Sequence, residues 1–102
     1  MVKKKNKKKV SKSKITQYAV LLILSECSEP KNFDTIYTYT GFERKKIVTA
    51  LSTLLNRRFV KKIIIDGTSH YSIMKAGLNV LKYYKENREY HNFWKPPWEE
   101  IN

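Results

Sequence analysis

The chain has 102 residues, 41% of them hydrophobic, and a formal net charge of +12. That composition allows one domain with a small core and points to a polyanionic partner, most simply nucleic acid. It excludes an intrachain disulfide, because Cys27 is the only cysteine, and no apolar run has the length of a membrane span. A single thiol leaves an intermolecular bridge open and fits a reducing compartment. The expected location is therefore the cytoplasm, on the nucleoid if the partner is DNA.

Residues 1–14, MVKKKNKKKVSKSK, hold eight lysines and no acid, which leaves only +4 for the remainder. Residues 1–13 read as a disordered arm, since they carry almost no apolar surface to bury. Lys3, Lys4, Lys5, Lys7, Lys8 and Lys9 would then meet phosphates, the plainer alternative being a solubilising tail. The apolar run AVLLIL at 19–24 is short and leads into Ser25, Glu26 and Cys27, which is not the form of a secretory signal.

Residues 14–27 are predicted as a first helix, with Ile15, Tyr18, Ala19, Leu22 and Ile23 at helical spacing and Ser13 as its N-cap. Val20, Leu21 and Leu24 widen the apolar surface beyond one stripe. Such a helix is either central to the fold or shared with a second subunit. Cys27 falls at its end as a small buried or half-buried residue rather than a redox centre. Glu29-Pro30-Lys31-Asn32 reads as a breaker. FDTIYTYT, 33–40, forms a short second helix capped by Asn32 or Asp34 and ended by a left-handed Gly41, after which Phe42 enters the core. Residues 43–57 form a third helix with Ile47, Ala50, Leu51 and Leu54 facing inward. Helix, tight turn with glycine, helix is the helix-turn-helix layout.

Residues 60–65 read as a strand, Asp66-Gly67 with Thr68-Ser69 as a hairpin turn, and 70–73 as the return strand. A last helix starts near Met74 or Lys75, carries Leu78, Leu81 and Tyr84 with Val80 and Tyr83 beside them, and fades near 88–90. The domain thus spans 14–90. The tail 91–102, HNFWKPPWEEIN, holds three large aromatics and a proline pair that precludes a helix. It is expected to dock on the protein's own surface or on a partner subunit. No enzyme constellation stands out. His70 and His91 lack acid or cysteine neighbours at ligand spacing, and there is no glycine-rich phosphate loop. No catalysis, metal, cofactor or small-molecule effector is expected.

The fold class is mainly α with a small β-hairpin (α+β), in the order helix, helix, helix, strand, strand, helix. This order resembles the winged-helix (winged helix-turn-helix) DNA-binding domains of regulators of the MarR, PadR and ArsR type, and small winged-helix proteins of archaea and their viruses look similar. The likeness covers about residues 14–86. IYTYTGFERKKIVTALSTLLNRRFVKKIII is similar to the second and recognition helices running into the first wing strand. HYSIMKAGLNVL is similar to the second wing strand and the start of the last helix, with Met74-Lys75-Ala76-Gly77 in place of threonine-x-lysine-glycine.

The resemblance implies that Arg44, Lys45, Lys46, Thr49 and Thr53 face the bases, with Val48 and Ser52 nearby. The same positions are those left outside once the apolar four face inward. Arg57, Lys61 and Lys62, with Arg58, are placed to touch phosphates, and Thr68, Ser69 and His70 lie at the wing. Three departures stand out: Glu43 where a Ser or Thr cap is usual, Arg58 where a glycine commonly ends the recognition helix, and a wing tip without Arg or Lys. The resemblance further implies a homodimer built on the last helix, with Leu21, Leu24, Leu78, Leu81 and Tyr84 at the interface. The alternative is that these residues cover the monomer's own core. The leading expectation is a sequence-specific regulator of double-stranded DNA. The competing readings are an architectural DNA binder dominated by the arm, an RNA-binding winged helix of ribosomal type, and a domain used only for protein contact.

Overall fold

The computed structural model describes residues 12–27 and 29–86. In chain order they form α1 (Lys12–Glu26), β1 (Lys31–Asn32), α2 (Phe33–Thr40), α3 (Arg44–Asn56), β2 (Val60–Ile65), β3 (Thr68–Ile73) and α4 (Lys75–Glu86). The three strands make one antiparallel sheet in the order β1-β3-β2. No helix among the described residues is long and apolar enough to cross a membrane. Most of the arm and the whole aromatic tail 91–102 lie outside the described residues, and so do Lys3, Lys4, Lys5, Lys7, Lys8 and Lys9.

α1 is the centre of the molecule. Every residue from Tyr18 to Leu24 is buried, as expected of a helix that is apolar all round. It meets α2, α3, α4 and β3 on its different sides. The helix begins at Lys12, so Ser13 lies inside its first turn rather than capping it, and the last two residues of the expected arm are helical. Cys27 follows the helix as a half-buried free thiol.

α2 is capped as one of the two expected residues allows. The Asn32 side chain accepts a 2.9 Å hydrogen bond from the Thr35 amide, which satisfies one of the free amides of the first turn. Gly41 ends the helix at φ 73°, and Phe42 is half-buried against the core. Asn32 has a second duty that the sequence did not reveal. Lys31 and Asn32 pair with Tyr71 and His70 as β1, where a breaker was expected. Two residues are too few to show strand periodicity. They become a strand because β3 offers them a free edge. The sheet thereby gains a third strand that ties the hairpin to the start of α2.

The end of α3 explains one of the departures from the family pattern. The Phe59 amide donates to Leu54 at 2.9 Å and the Arg58 amide to Leu55 at 3.0 Å. These crossed bonds form a Schellman motif, whose penultimate residue must be left-handed. That residue is Arg58, at φ 64°. The geometry that glycine usually supplies is kept, with an arginine carrying it at a steric cost.

Gly77 explains another position in the pattern. A Cβ there would overlap the Phe59 carbonyl oxygen and come within 2.9 Å of Ile73 Cγ1. The same carbonyl accepts the Met74 amide at 2.8 Å. The first turn of α4 is thus seated on the residue that opens the hairpin. Gly77→Ala is expected to lower the unfolding free energy by about 2–3 kcal/mol. Arg58→Gly is expected to raise it by about 0.5–1 kcal/mol, the left-handed cost less the greater freedom of glycine in the unfolded chain. Urea midpoints with unchanged m values would check both.

Candidate nucleic-acid interface

α3 presents two faces. Ile47, Ala50, Leu51 and Leu54 are buried, as expected. Lys45, Lys46, Val48, Thr49, Ser52 and Asn56 are exposed, and Thr53 is half-buried. At roughly 3.6 residues per turn, Lys45, Thr49, Ser52 and Asn56 run along the outermost line, with Val48 and Thr53 flanking it. Asn56 was absent from the expected set, although it continues the line at i+4 from Ser52.

The N-terminus of α3 has no side-chain cap. Glu43 holds the N-cap position in extended conformation and makes no capping hydrogen bond. The first turn carries Arg44, Lys45 and Lys46 and no acid. Cations at this end oppose the helix dipole unless an anion is present.

Arg44 differs from its two neighbours. Its guanidinium lies 4.5 Å from the centroid of the Tyr37 ring and 5.6 Å from that of Phe33. These two rings, one turn apart on α2, are nearly parallel, with centroids 6.4 Å apart. Asp34 Oδ1 is 3.9 Å from Arg44 Nη1 with both side chains well exposed, a pair that adds little in water. Arg44 is therefore held by α2 across the helix-turn-helix angle. The guanidinium lies toward the α2 rings while the side chain stays 62% exposed, a placement that the spacing of charges alone did not reveal.

The wing also sorts differently from expectation. Asp66 and Gly67, at φ 52° and 79°, form a two-residue turn with both residues left-handed, as in a type I′ hairpin. Thr68 and Ser69 are therefore paired strand residues and not part of the turn: Ile65 faces Thr68 and Ile64 faces Ser69. Directly paired residues share a face and neighbours alternate. Lys61, Thr68 and His70 thus lie on one face, and Lys62 and Ser69 on the other, which is also the face of Val60, Tyr71 and Ile73. Five positions grouped by sequence divide between two surfaces. His70 Nδ1 is 2.9 Å from the Thr68 carbonyl, so the ring donates there and lies along its own strand. Ile64, 60% exposed, and Ile65 stand at the tip where cations are absent. Arg57, the C-cap of α3, is exposed.

Of the five residues expected at a dimer interface, Leu21, Leu24, Leu81 and Tyr84 are buried within this single chain. Tyr18 and Tyr84 meet edge to face at 6.2 Å, joining α1 to α4. The core of the chain itself accounts for these four. Leu78 is 47% exposed, and Tyr83 and Met74 are exposed with it. Among the described residues no cluster of three or more His, Cys, Asp or Glu is placed to hold a metal ion.

No protein-family model matches the sequence, and no curated protein matches it. Solved structures do match. A MarR-family transcriptional regulator from Silicibacter pomeroyi is similar at TM-score 0.66 and 21% identity, over 76% of this chain and 54% of that one. A possible HxlR-family transcriptional factor from Thermoplasma volcanium is similar at TM-score 0.62 and 17% identity, over 76% and 71%. The PcaV transcriptional regulator from Streptomyces coelicolor, solved in complex with its natural ligand, is similar at 0.61 and 20%, over 83% and 65%. The fold is the winged-helix fold of these regulators, and the chain spans little more than half the length of the first.

The geometry around Arg44 is testable on stability alone. A double-mutant cycle of Arg44→Ala with Tyr37→Leu is expected to give a coupling of about 0.5–1 kcal/mol. The corresponding cycle with Asp34→Asn should give a few tenths at most, because that pair is exposed. Equal couplings in the two cycles would remove the aromatic clamp from the account.

Proposed function

We propose that this chain is a transcription regulator that binds double-stranded DNA sequence-specifically as a homodimer, with α3 in the major groove and the β2–β3 hairpin as wing. The observation that carries the reading is the division of α3. Four residues lock its inner face to the core, while its outer face is polar, exposed and cationic at an uncapped N-terminus. That is the geometry of a helix presented to a groove, its first turn near phosphates. The winged-helix fold shared with known regulators supports it.

The flanking contacts follow from the two wing faces. Lys61, with Thr68 and His70, would follow one strand of backbone, and Lys62 and Arg57 would serve phosphates nearer the core. The lysine arm would add affinity without base preference. Site occupancy alone can regulate, so the reading invokes no effector.

A second reading, an architectural or RNA-type binder, has one observation in its favour: six of the chain's lysines, Lys3, Lys4, Lys5, Lys7, Lys8 and Lys9, precede α1 and so lie outside the domain that would read sequence. Selection from a random duplex library decides between the two. The full-length chain and a form starting at Ser13 should enrich the same two-fold symmetric motif. Lys61→Ala should then weaken all duplexes alike and reduce the salt slope by about one. Duplex retained by the full-length chain alone, without an enriched motif, would make the arm the binding element and overturn the sequence-specific reading.

For the dimer, the surface proposed is the exposed part of α4, with Leu78 and Met74 on one flank of the buried stripe and Tyr83 on the other. Leu78→Lys with Tyr83→Lys should convert the dimer to monomer in sedimentation, with the fold retained by circular dichroism. Leu81→Lys should unfold the chain instead, because Leu81 is core.

A further inference from the structure

We propose that α3 selects A·T pairs by contacting thymine C5 methyl groups with Val48 and Thr49. The inference rests on the DNA-binding reading above and specifies what that site recognises.

Among the bases, guanine is best read by a bidentate arginine, and thymine alone carries a methyl group in the major groove. α3 contains a single arginine, Arg44. It lies over the Tyr37 and Phe33 rings with its side chain 62% exposed, and the middle turns of the helix carry no guanidinium for guanine. The two lysines occupy the first turn, where phosphates are nearest. The middle turns present Val48, Thr49 and Ser52.

Val48 is the informative residue. It is 52% exposed in the middle of a helix, and its surface neighbours at i−3 and i+4 are Lys45 and Ser52, both exposed. A β-branched residue in a helix lowers helix propensity, and this one contributes little to the core. Val48 and Thr49 are consecutive exposed positions that each carry methyl on the outer side of α3, between the lysines of the first turn and the hydroxyl of Ser52. A duplex groove with thymine methyl groups is the complementary surface: apolar at the centre and anionic at the margins. Burying one such methyl is worth about fourfold in affinity.

The test uses the duplex enriched by the full-length chain, resynthesised with deoxyuridine replacing thymine at one position at a time. This removes the C5 methyl and keeps every hydrogen-bonding group. At least one position per half-site should bind about fourfold more weakly. Val48→Ala should bind the thymine and deoxyuridine duplexes equally at one such position. Thr49→Ser, which deletes only the side-chain methyl, should abolish the penalty at another, whereas Thr49→Val should retain it. All three changes are at exposed positions, so the fold persists. If the motif is enriched but no deoxyuridine substitution matters, the inference fails and the DNA-binding reading stands. If the penalties persist unchanged in both Val48→Ala and Thr49→Ser, the contacts come from elsewhere on the chain and the inference fails. If no motif is enriched, the sequence-specific reading fails with it.

Discussion

The whole arrangement depends on the burial of α1. Seven consecutive buried residues, Tyr18 to Leu24, cannot be satisfied by one neighbour, because successive side chains point around the full circumference of a helix. α2, α3, α4 and β3 must each cover a side. In a chain of this size that uses most of the available secondary structure. The direction of α3 is therefore set from inside: Ile47, Ala50, Leu51 and Leu54 face the core, and what remains must face out. The outer face needs no special device to be exposed.

The hairpin is fixed by a second, smaller constraint at one carbonyl. Phe59 closes the Schellman turn of α3 through its amide. Through its oxygen it accepts the Met74 amide and leaves room only for a hydrogen at Gly77. The end of α3, the start of β2 and the first turn of α4 are thus joined within a few ångströms. A wing rooted this way moves with α3. Asn32 completes the frame from the opposite edge of the sheet, pairing with His70 and capping α2 at once. The angle between α2 and α3 is held on its outer side by Arg44 against Tyr37.

Much of the fold was legible because it rests on local rules. Apolar spacing identified the inner four residues of α3, and Asp66-Gly67 marked the hairpin because few other pairs tolerate two left-handed residues in succession. Gly41 ended α2 for the same reason. What was not legible depended on neighbours distant in sequence. β1 exists only because β3 has an open edge. Whether the wide apolar surface of α1 served the core or a partner was undecidable from periodicity, since both predict the same letters. Burial assigns Leu21 and Leu24 to the core. Arg44 reads in sequence as one of three equivalent cations, and only the placement of Phe33 and Tyr37 across the turn separates it from Lys45 and Lys46. The pairing of Lys61 with Ser72 and Lys62 with Tyr71 divides a wing that looks continuous as a string.

These separations bear on how such a small domain would discriminate between sites. An outer face with methyl groups and hydroxyls at its centre, and its lysines in the first turn, would give modest preference at each base under the proposed reading. Most of the net charge lies in residues 1–14, and phosphate contacts carry no base preference. Under the proposed reading, affinity and specificity are therefore supplied by different parts of the chain. Weak preferences at well-separated positions multiply. Under the proposed reading, two fourfold contacts per half-site become roughly 250-fold over a two-fold symmetric site. A single α3 would give only about 16-fold. Under the same reading a monomer with this arm would hold DNA almost anywhere, so sequence selection would depend on the exposed part of α4 as much as on α3.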